Sequence, residues 1–290
     1  MTAAGHLDSW PKISPWDGGR DELRVPYILS AALAALMVVQ SVLGLLFQGQ
    51  YRDVEWIKAT WFGNDWVTLL FAAPLLVVAL LMARGGSMPG LLLWFGLIGY
   101  GVYNYAYYLF GAALNAFFLL YVVAFVLSAV TLILVLAHLE VTHIAASFRP
   151  TTPVRTIGGY LTFVGFGLAS VWLSMWAAYV FTGRPTPVEP EAFKLVAALD
   201  ISLMVTGLTF GGVLLWRRNM WGYVVAAIAS IQASLYLLVL SVNSIVGVHR
   251  GLAKTPGEFP MWGTLAVFTT AVTLLLLANI RRERPSFGRR

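Results

Sequence analysis

The chain has 290 residues, of which 59% are hydrophobic and 11% are charged, and its mean hydropathy is +0.78. Soluble globular domains carry about 25% charged residues, so this composition excludes a water-soluble protein and predicts one that lies mainly in lipid. The net charge is +6, but no basic fold unit carries it, which excludes nucleic acid as a partner. Cysteine is absent, which excludes disulfides and thiolate catalysis.

Eight apolar runs without Lys, Arg, Glu or His follow one another along the chain, each near the ~20 residues with which a helix crosses ~30 Å of hydrocarbon. Because the runs are continuous, whereas a barrel strand alternates polar and apolar residues, they predict helices. The predicted fold is an all-α integral membrane protein with about eight transmembrane helices. The runs cover residues 26–48, 66–83, 89–111, 116–137, 158–181, 195–216, 220–247 and 262–280.

The residues outside these runs predict the orientation in the membrane. Residues 1–25 lack the basic start and short apolar core of a cleaved signal peptide, which predicts an interfacial N-terminal segment. With eight spans both termini lie on one side, and that side receives most of the 19 Lys and Arg residues. The positive-inside rule therefore predicts a multi-pass protein of the cell membrane with both termini cytoplasmic. The basic tail, 282–290, is expected to meet the lipid bilayer.

The two halves of the chain have similar spacing. Asp65 begins a run that is followed by Met88-Pro89-Gly90 and a span with tyrosine, and Asp200 begins a run that is followed by Met220-Trp221-Gly222 and a span with tyrosine. This predicts a parallel internal repeat, although any two sets of four spans share much of this spacing. The predicted units are the first half, 26–147, a cytoplasmic linker, 148–157, and the second half, 158–281.

The first external loop, 49–64, also has a pattern of its own. Val54, Ile57 and Trp61 stand at helical spacing, which predicts a short interfacial helix that precedes the second span. No loop is long enough to fold as a separate catalytic domain.

Asp200 is the one formally charged side chain inside the apolar runs. An ionisable residue at membrane depth is by default a hypothesis for a functional site, and a proton- or cation-coupled site uses such a carboxylate. Two structural alternatives remain open, namely a carboxylate at a helix start and a side chain that snorkels to the interface beside Lys194. Asp65 follows Asn64 directly before an apolar run, as an ordinary N-cap would.

Polar and aromatic side chains of several spans fall at the same outer depth, which predicts an outward-facing cavity. Polar groups are tolerated in hydrocarbon where they face protein or water. The alternative is structural, because tyrosines form interfacial belts and Asn115 caps the turn between the third and fourth spans. The candidate substrate-binding residues are Asp200, Tyr103, Asn104, Tyr107, Asn115, Tyr121, Gln232, Tyr236, Asn243 and Asp65.

No catalytic motif is present, and no cofactor or metal site is predicted, since His138 and His143 are five residues apart and do not share a helix face. The favoured function is transport or binding of a small solute or ion, because intramembrane carboxylates mark pathways. The first alternative is a non-catalytic subunit, sensor or lipid-binding protein that joins a membrane-protein partner or a second copy. The second is a membrane enzyme that uses Asp200 and a tyrosine as acid and base.

Overall fold

A computed structural model describes residues 23–252 and 257–281. These residues form helices and their connections, with one isolated β-bridge between Phe148 and Ile280. The predicted N-terminal segment, except its last three residues, and the basic tail lie outside the described residues. The helical bundle confirms the predicted fold class.

The described residues form nine helices, and two of these contain a π-helical segment. The segments are Thr68–Ala72 in α2 and Asp200–Val205 in α7. The helices are α1 Arg24–Leu46, α2 Glu55–Arg84, α3 Met88–Gly111, α4 Phe118–Ala137, α5 Val141–Ser147, α6 Val154–Thr182, α7 Pro190–Trp216, α8 Met220–His249 and α9 Phe259–Ala278.

Among the described residues, seven helices are long and apolar enough to cross a membrane: α1, α2, α4, α6, α7, α8 and α9. This confirms a polytopic helical membrane protein, whereas the predicted count of eight spans stays a prediction. The remaining long helix, α3, has 24 residues and contains glycine, tyrosine and asparagine residues that lower its hydropathy. Because most of α3 is buried among its neighbours, its polar side chains face protein.

Helices α2 and α7 begin earlier in the chain than the predicted spans, at Glu55 and Pro190 rather than at residues 66 and 195. The short helix expected around Trp61 is the first part of α2, which continues without a break to Arg84. Asp65 therefore lies inside a helix, and it is not an N-cap. Asp200 likewise lies ten residues after Pro190 and does not begin its helix.

Each half of the chain forms a group of packed helices, and the two groups meet. In the first half α1 contacts α2 and α4, while α3 contacts α2 and α4. In the second half α7 contacts α6 and α8, and α8 contacts α9. Between the halves α3 packs against α8, the first part of α2 packs against α8, and the first part of α7 packs against α3. Helices α2 and α3 of the first half and α7 and α8 of the second half thus form the interface.

Glycines let these helices approach closely. A Cβ at Gly211 of α7 would stand 2.9 Å from the backbone nitrogen of Ala226 in α8, and a Cβ at Gly96 of α3 would collide with Ile231 of α8. Small residues at such crossings bring helix backbones into contact in membrane proteins.

Hydrogen bonds identify the two ends of the bundle. At one end, called the terminal face, the Arg149 N–H donates to the Asn279 carbonyl over 2.9 Å and the Arg281 N–H donates to the Ser147 carbonyl over 2.8 Å. At the other end, called the opposite face, Arg250 Nη2 donates to Gln48 Oε1. The terminal face joins the linker between the halves to the end of α9.

Candidate functional site

The Asp200 carboxylate is fully buried and is held by three side chains from three other helices. Oδ1 accepts from the Tyr103 hydroxyl of α3 over 2.5 Å. Oδ2 accepts from Trp172 Nε1 of α6 over 2.9 Å and from the Tyr236 hydroxyl of α8 over 3.0 Å. No ion pair with Lys194 or with another described residue reaches this carboxylate, so the snorkelling alternative is not what the structure shows.

Asp65 in α2 has a matching environment in the first half. Its oxygens accept from Gln40 Nε2 of α1 over 2.9 Å, from the Tyr51 hydroxyl over 2.7 Å and from the Tyr108 hydroxyl of α3 over 2.8 Å. Tyr51 lies in the connection between α1 and α2, where burial and the nearby Asp65 raise the pKa of its phenol. The phenol therefore stays protonated and remains a donor.

Both carboxylates are accordingly satisfied by uncharged donors. Such hydrogen bonds are what makes burial of a carboxylate tolerable. Each of the four carboxylate oxygens accepts at least one of these bonds.

A polar cavity of about 140 Å³ lies between the two halves, on the side of Tyr103 nearer the opposite face. Helices α2, α3, α7 and α8 form its walls, and no charged side chain lines it. The lining residues are Thr60, Asn64, Tyr100, Tyr103, Asn104, Tyr107, Val196, Tyr236, Val239, Leu240 and Asn243.

Three asparagines of this wall carry buried amide atoms without hydrogen-bond partners among the described residues. They are Nδ2 of Asn64, Nδ2 of Asn104 and Oδ1 of Asn243. Asn64 and Asn104 are each 3% exposed. An unpaired buried polar group costs about 1–3 kcal/mol, so asparagine side chains that turned toward a polar occupant of the cavity would recover energy that the protein alone does not.

Tyr103 and Tyr236 connect the cavity with Asp200. Their rings meet edge to face with centroids 5.2 Å apart, both line the cavity, and both hydroxyls donate to Asp200. Asp200 thus lies behind the wall and contacts the cavity through these two tyrosines.

The structure brings five of the predicted residues to the cavity wall: Tyr103, Asn104, Tyr107, Tyr236 and Asn243. Asp200 is one side chain behind it. The other four candidates, Asn115, Asp65, Tyr121 and Gln232, do not line this cavity.

Asn115 caps the turn between α3 and α4, where its Oδ1 accepts from the Phe117 N–H over 2.8 Å. Asp65 and Tyr121 lie in the interior of the first half and both contact Tyr108. The Tyr108 hydroxyl donates to Asp65, and the Tyr108 ring stacks on Tyr121 with centroids 5.0 Å apart. Gln232 lines a second, apolar crevice.

The list of candidate residues from the sequence omitted Thr60, Asn64 and Tyr100, although Asn64 stands beside Asp65 at the predicted start of the second span. The predicted second span began at residue 66, which left the first two in a loop. The signal was nevertheless present, because Thr60 and Asn64 are four residues apart and share one helix face. Tyr100 likewise shares a face with Tyr103 and Asn104.

Among the described residues, no three His, Asp or Glu side chains come together in a way that could hold a metal ion. No protein-family model, curated protein or solved structure matches this chain.

Proposed function

We propose that this protein binds a small, uncharged polar solute in the cavity between its halves and moves it across the cell membrane. The observation that carries the proposal is the set of unpartnered amide atoms at Asn64, Asn104 and Asn243 in the wall of one cavity. Two amide donors and one acceptor suit a solute that has both carbonyl and hydroxyl or amino groups.

The size and charge of the cavity define the solute class. A volume of about 140 Å³ equals that of four or five water molecules at ~30 Å³ each. A small amide, a urea or a short polyol has this size. A charged solute would need an opposite charge in the wall, and the lining residues supply none.

The location of the cavity supports transport. In transporters built from repeats, the substrate site lies at the interface of the repeats, and one repeat rocks against the other around it. Here the cavity lies at the α3 and α8 interface. We include α3 as the eighth span and place both termini in the cytoplasm, so that the cavity faces outward.

Asp200 would couple a proton to the solute. A proton on one oxygen of the carboxylate turns that oxygen into a donor, so the tyrosine that donates to it, Tyr103 at Oδ1 or Tyr236 at Oδ2, would reorient. Because both tyrosines form part of the cavity wall, the protonation state of Asp200 would change solute affinity.

Solute uptake into proteoliposomes tests the proposal. Isotope-labelled urea, acetamide and glycerol are offered with and without a pH gradient. We expect uptake of at least one solute, a loss of at least about tenfold in Asn104→Leu, and loss of the pH-gradient dependence in Asp200→Asn. Asn279→Leu, which changes a half-buried amide at the terminal face, outside the cavity, is the matched control. Saturable uptake that survives Asn104→Leu would contradict the assignment of the cavity.

One observation favours the alternative of a non-transporting partner protein. Helix α6 is apolar over its length, yet only 11% of its most apolar window is buried, compared with 67% for α8. A membrane-protein partner or a second copy would cover this helix. The mass of the protein in lipid nanodiscs separates the cases, because a monomer without a stoichiometric partner leaves α6 facing lipid.

A further inference from the structure

A second space, of about 240 Å³, lies on the other side of Tyr103 from the polar cavity. Helices α3 and α8 form its floor, and α4 and α7 form its sides. Its walls are apolar except at Tyr103 and Gln232. The lining residues are Gly99, Val102, Tyr103, Leu132, Leu136, Leu203, Gly207, Val225, Ile228, Ala229 and Gln232.

This crevice opens toward lipid. Leu203 on its rim is 39% exposed, and Leu132 and Leu136 on the facing helix are half-buried. Both side helices, α4 and α7, are long and apolar enough to span the membrane. The exposed rim therefore faces hydrocarbon, and a molecule dissolved in the bilayer can reach the interior between α4 and α7.

Gln232 places one polar group inside the crevice. It is 8% exposed, and no described residue forms a hydrogen bond with its amide. Twelve residues separate it from Met220 at the start of α8, which puts it ~18 Å along the helix and near the middle of ~30 Å of hydrocarbon. A buried amide at this depth is costly without a partner, so a ligand that offers a hydrogen bond is favoured over a bare acyl chain.

We propose that the crevice binds a neutral amphiphile from the bilayer, a long-chain alcohol or ketone. Its polar group would bond to the Gln232 amide, and its chain would lie along Leu132, Leu136 and Leu203 and leave the protein between α4 and α7. The ligand is neutral because no charged side chain lines the crevice and a charged group at this depth would be costly. This site is separate from the solute cavity, and it exists whether or not a solute passes through that cavity.

Photolabelling with a diazirine-bearing hexadecanol tests the proposal. The full chain is reconstituted in phosphatidylcholine liposomes, irradiated and mapped by mass spectrometry, with unlabelled hexadecanol as competitor. Gly207→Leu fills the crevice, and its Cβ meets only ordinary contact, 3.4 Å from the Ala229 Cβ. Gln232→Leu keeps the volume and removes the amide. Gly167→Leu on α6, where a Cβ has no neighbour within 4 Å, is the matched control.

We expect competable adducts on the lining residues of α4, α7 and α8. Labelling should fall at least about tenfold in Gly207→Leu and stay unchanged in Gly167→Leu. Gln232→Leu should weaken competition by hexadecanol about fivefold, as the loss of one hydrogen bond predicts.

Adducts spread evenly over lipid-facing helices, or labelling that is unchanged in both crevice variants, would overturn the proposal. If Gly207→Leu does not yield monodisperse protein, Gln232→Leu decides alone. Solute uptake is measured separately, so failure of the crevice site and failure of the proposed transport are distinguishable.

Discussion

At the scale of single residues, the two buried aspartates join helices that are far apart in sequence. Each accepts hydrogen bonds from two other helices or more, and a third donor completes each set. The sequence indicated that Asp200 lies at membrane depth, because it is the one charged side chain inside the apolar runs. It could not indicate the donors, since any of twelve tyrosines could have reached either carboxylate.

Replacement of Asp65 by alanine should destabilise the protein. The change leaves the buried donors Gln40 and Tyr51 without their carboxylate, while Tyr108 keeps the Trp61 carbonyl at 3.2 Å as an acceptor. The loss should reach about 3 kcal/mol or more in the free energy of unfolding, measured by SDS titration. Glu55→Ala, which removes an exposed carboxylate paired with Lys58, should cost less than about 1 kcal/mol. Equal stability of the two variants would contradict a stabilising role for Asp65.

Gly63→Ala should close the solute cavity with a single methyl group. A Cβ at Gly63 would collide with Oδ1 of Asn243, so the asparagine must move into the space that it lines. Solute uptake should fall at least about tenfold, with thermal stability within a few degrees of the wild type. Gly247→Ala on α8, where a Cβ has no neighbour within 4 Å, should leave uptake unchanged. Normal uptake by Gly63→Ala would place the solute elsewhere.

At the scale of the helices, hydropathy predicted the bounds of the lipid-facing helices well. It failed at the start of α2, where polar residues continue the helix. The first and eighth runs lie within three residues of α1 and α9. The start of α2 was missed by eleven residues, because Lys58, Asn64 and Asp65 interrupt the apolar pattern although the helix continues through them. Asp65 and Asn64 are accommodated by partners from other helices and by the cavity, which a one-dimensional pattern does not contain.

The π-helical segments give these two helices a shared local feature. Thr68–Ala72 follows Asp65 by three residues, and Asp200 begins the other segment. A π-bulge adds one residue to an α-helix and is frequent at functional sites.

Deletion of Leu203 should therefore convert the second segment to α-helix and leave a folded protein. The side chain is 39% exposed, so little packing is lost. Asp200 would rotate relative to Tyr103 and Tyr236, and pH-gradient-driven uptake should be lost. Deletion of Leu238 in the regular helix α8 shifts every later residue by about 100° and should abolish monodisperse expression. Loss of expression in both deletions would refute the idea that the π segment absorbs one residue.

At the scale of the whole molecule, the internal repeat stays a prediction. Contacts of α3 with α7 and of α8 with α2 run between the halves, but α1 packs closely on α4, whereas the corresponding helices α6 and α9 make few contacts. The similarity is incomplete in the solute cavity, to which α2 contributes Thr60 and Asn64 while α7 contributes Val196. Any duplication has thus left a site with one polar and one apolar side, which favours a solute with two unlike faces.

The orientation of the halves depends on whether α3 crosses the membrane. If it does, the turn before it and the turn after it lie on opposite sides of the bilayer. If it does not, both turns lie on one side, and the second half is inverted relative to the first. A parallel repeat, with its cavity open to the outside, requires the crossing.

Single cysteines decide this cleanly, since the natural chain contains none. Ser87→Cys lies in the turn before α3 and Leu114→Cys, at a residue 73% exposed, in the turn after it. Glu189→Cys lies in the connection between α6 and α7, which is predicted to be external. In right-side-out vesicles, a membrane-impermeant maleimide should label Leu114→Cys and Glu189→Cys at least about tenfold faster than Ser87→Cys. Lysis of the vesicles should remove this difference. Positive-inside charges predict this sense. Equal labelling of Ser87→Cys and Leu114→Cys would show that α3 does not cross the membrane, and it would contradict a parallel repeat. Faster labelling of Ser87→Cys would agree with a parallel repeat, but the solute cavity would then open to the cytoplasm.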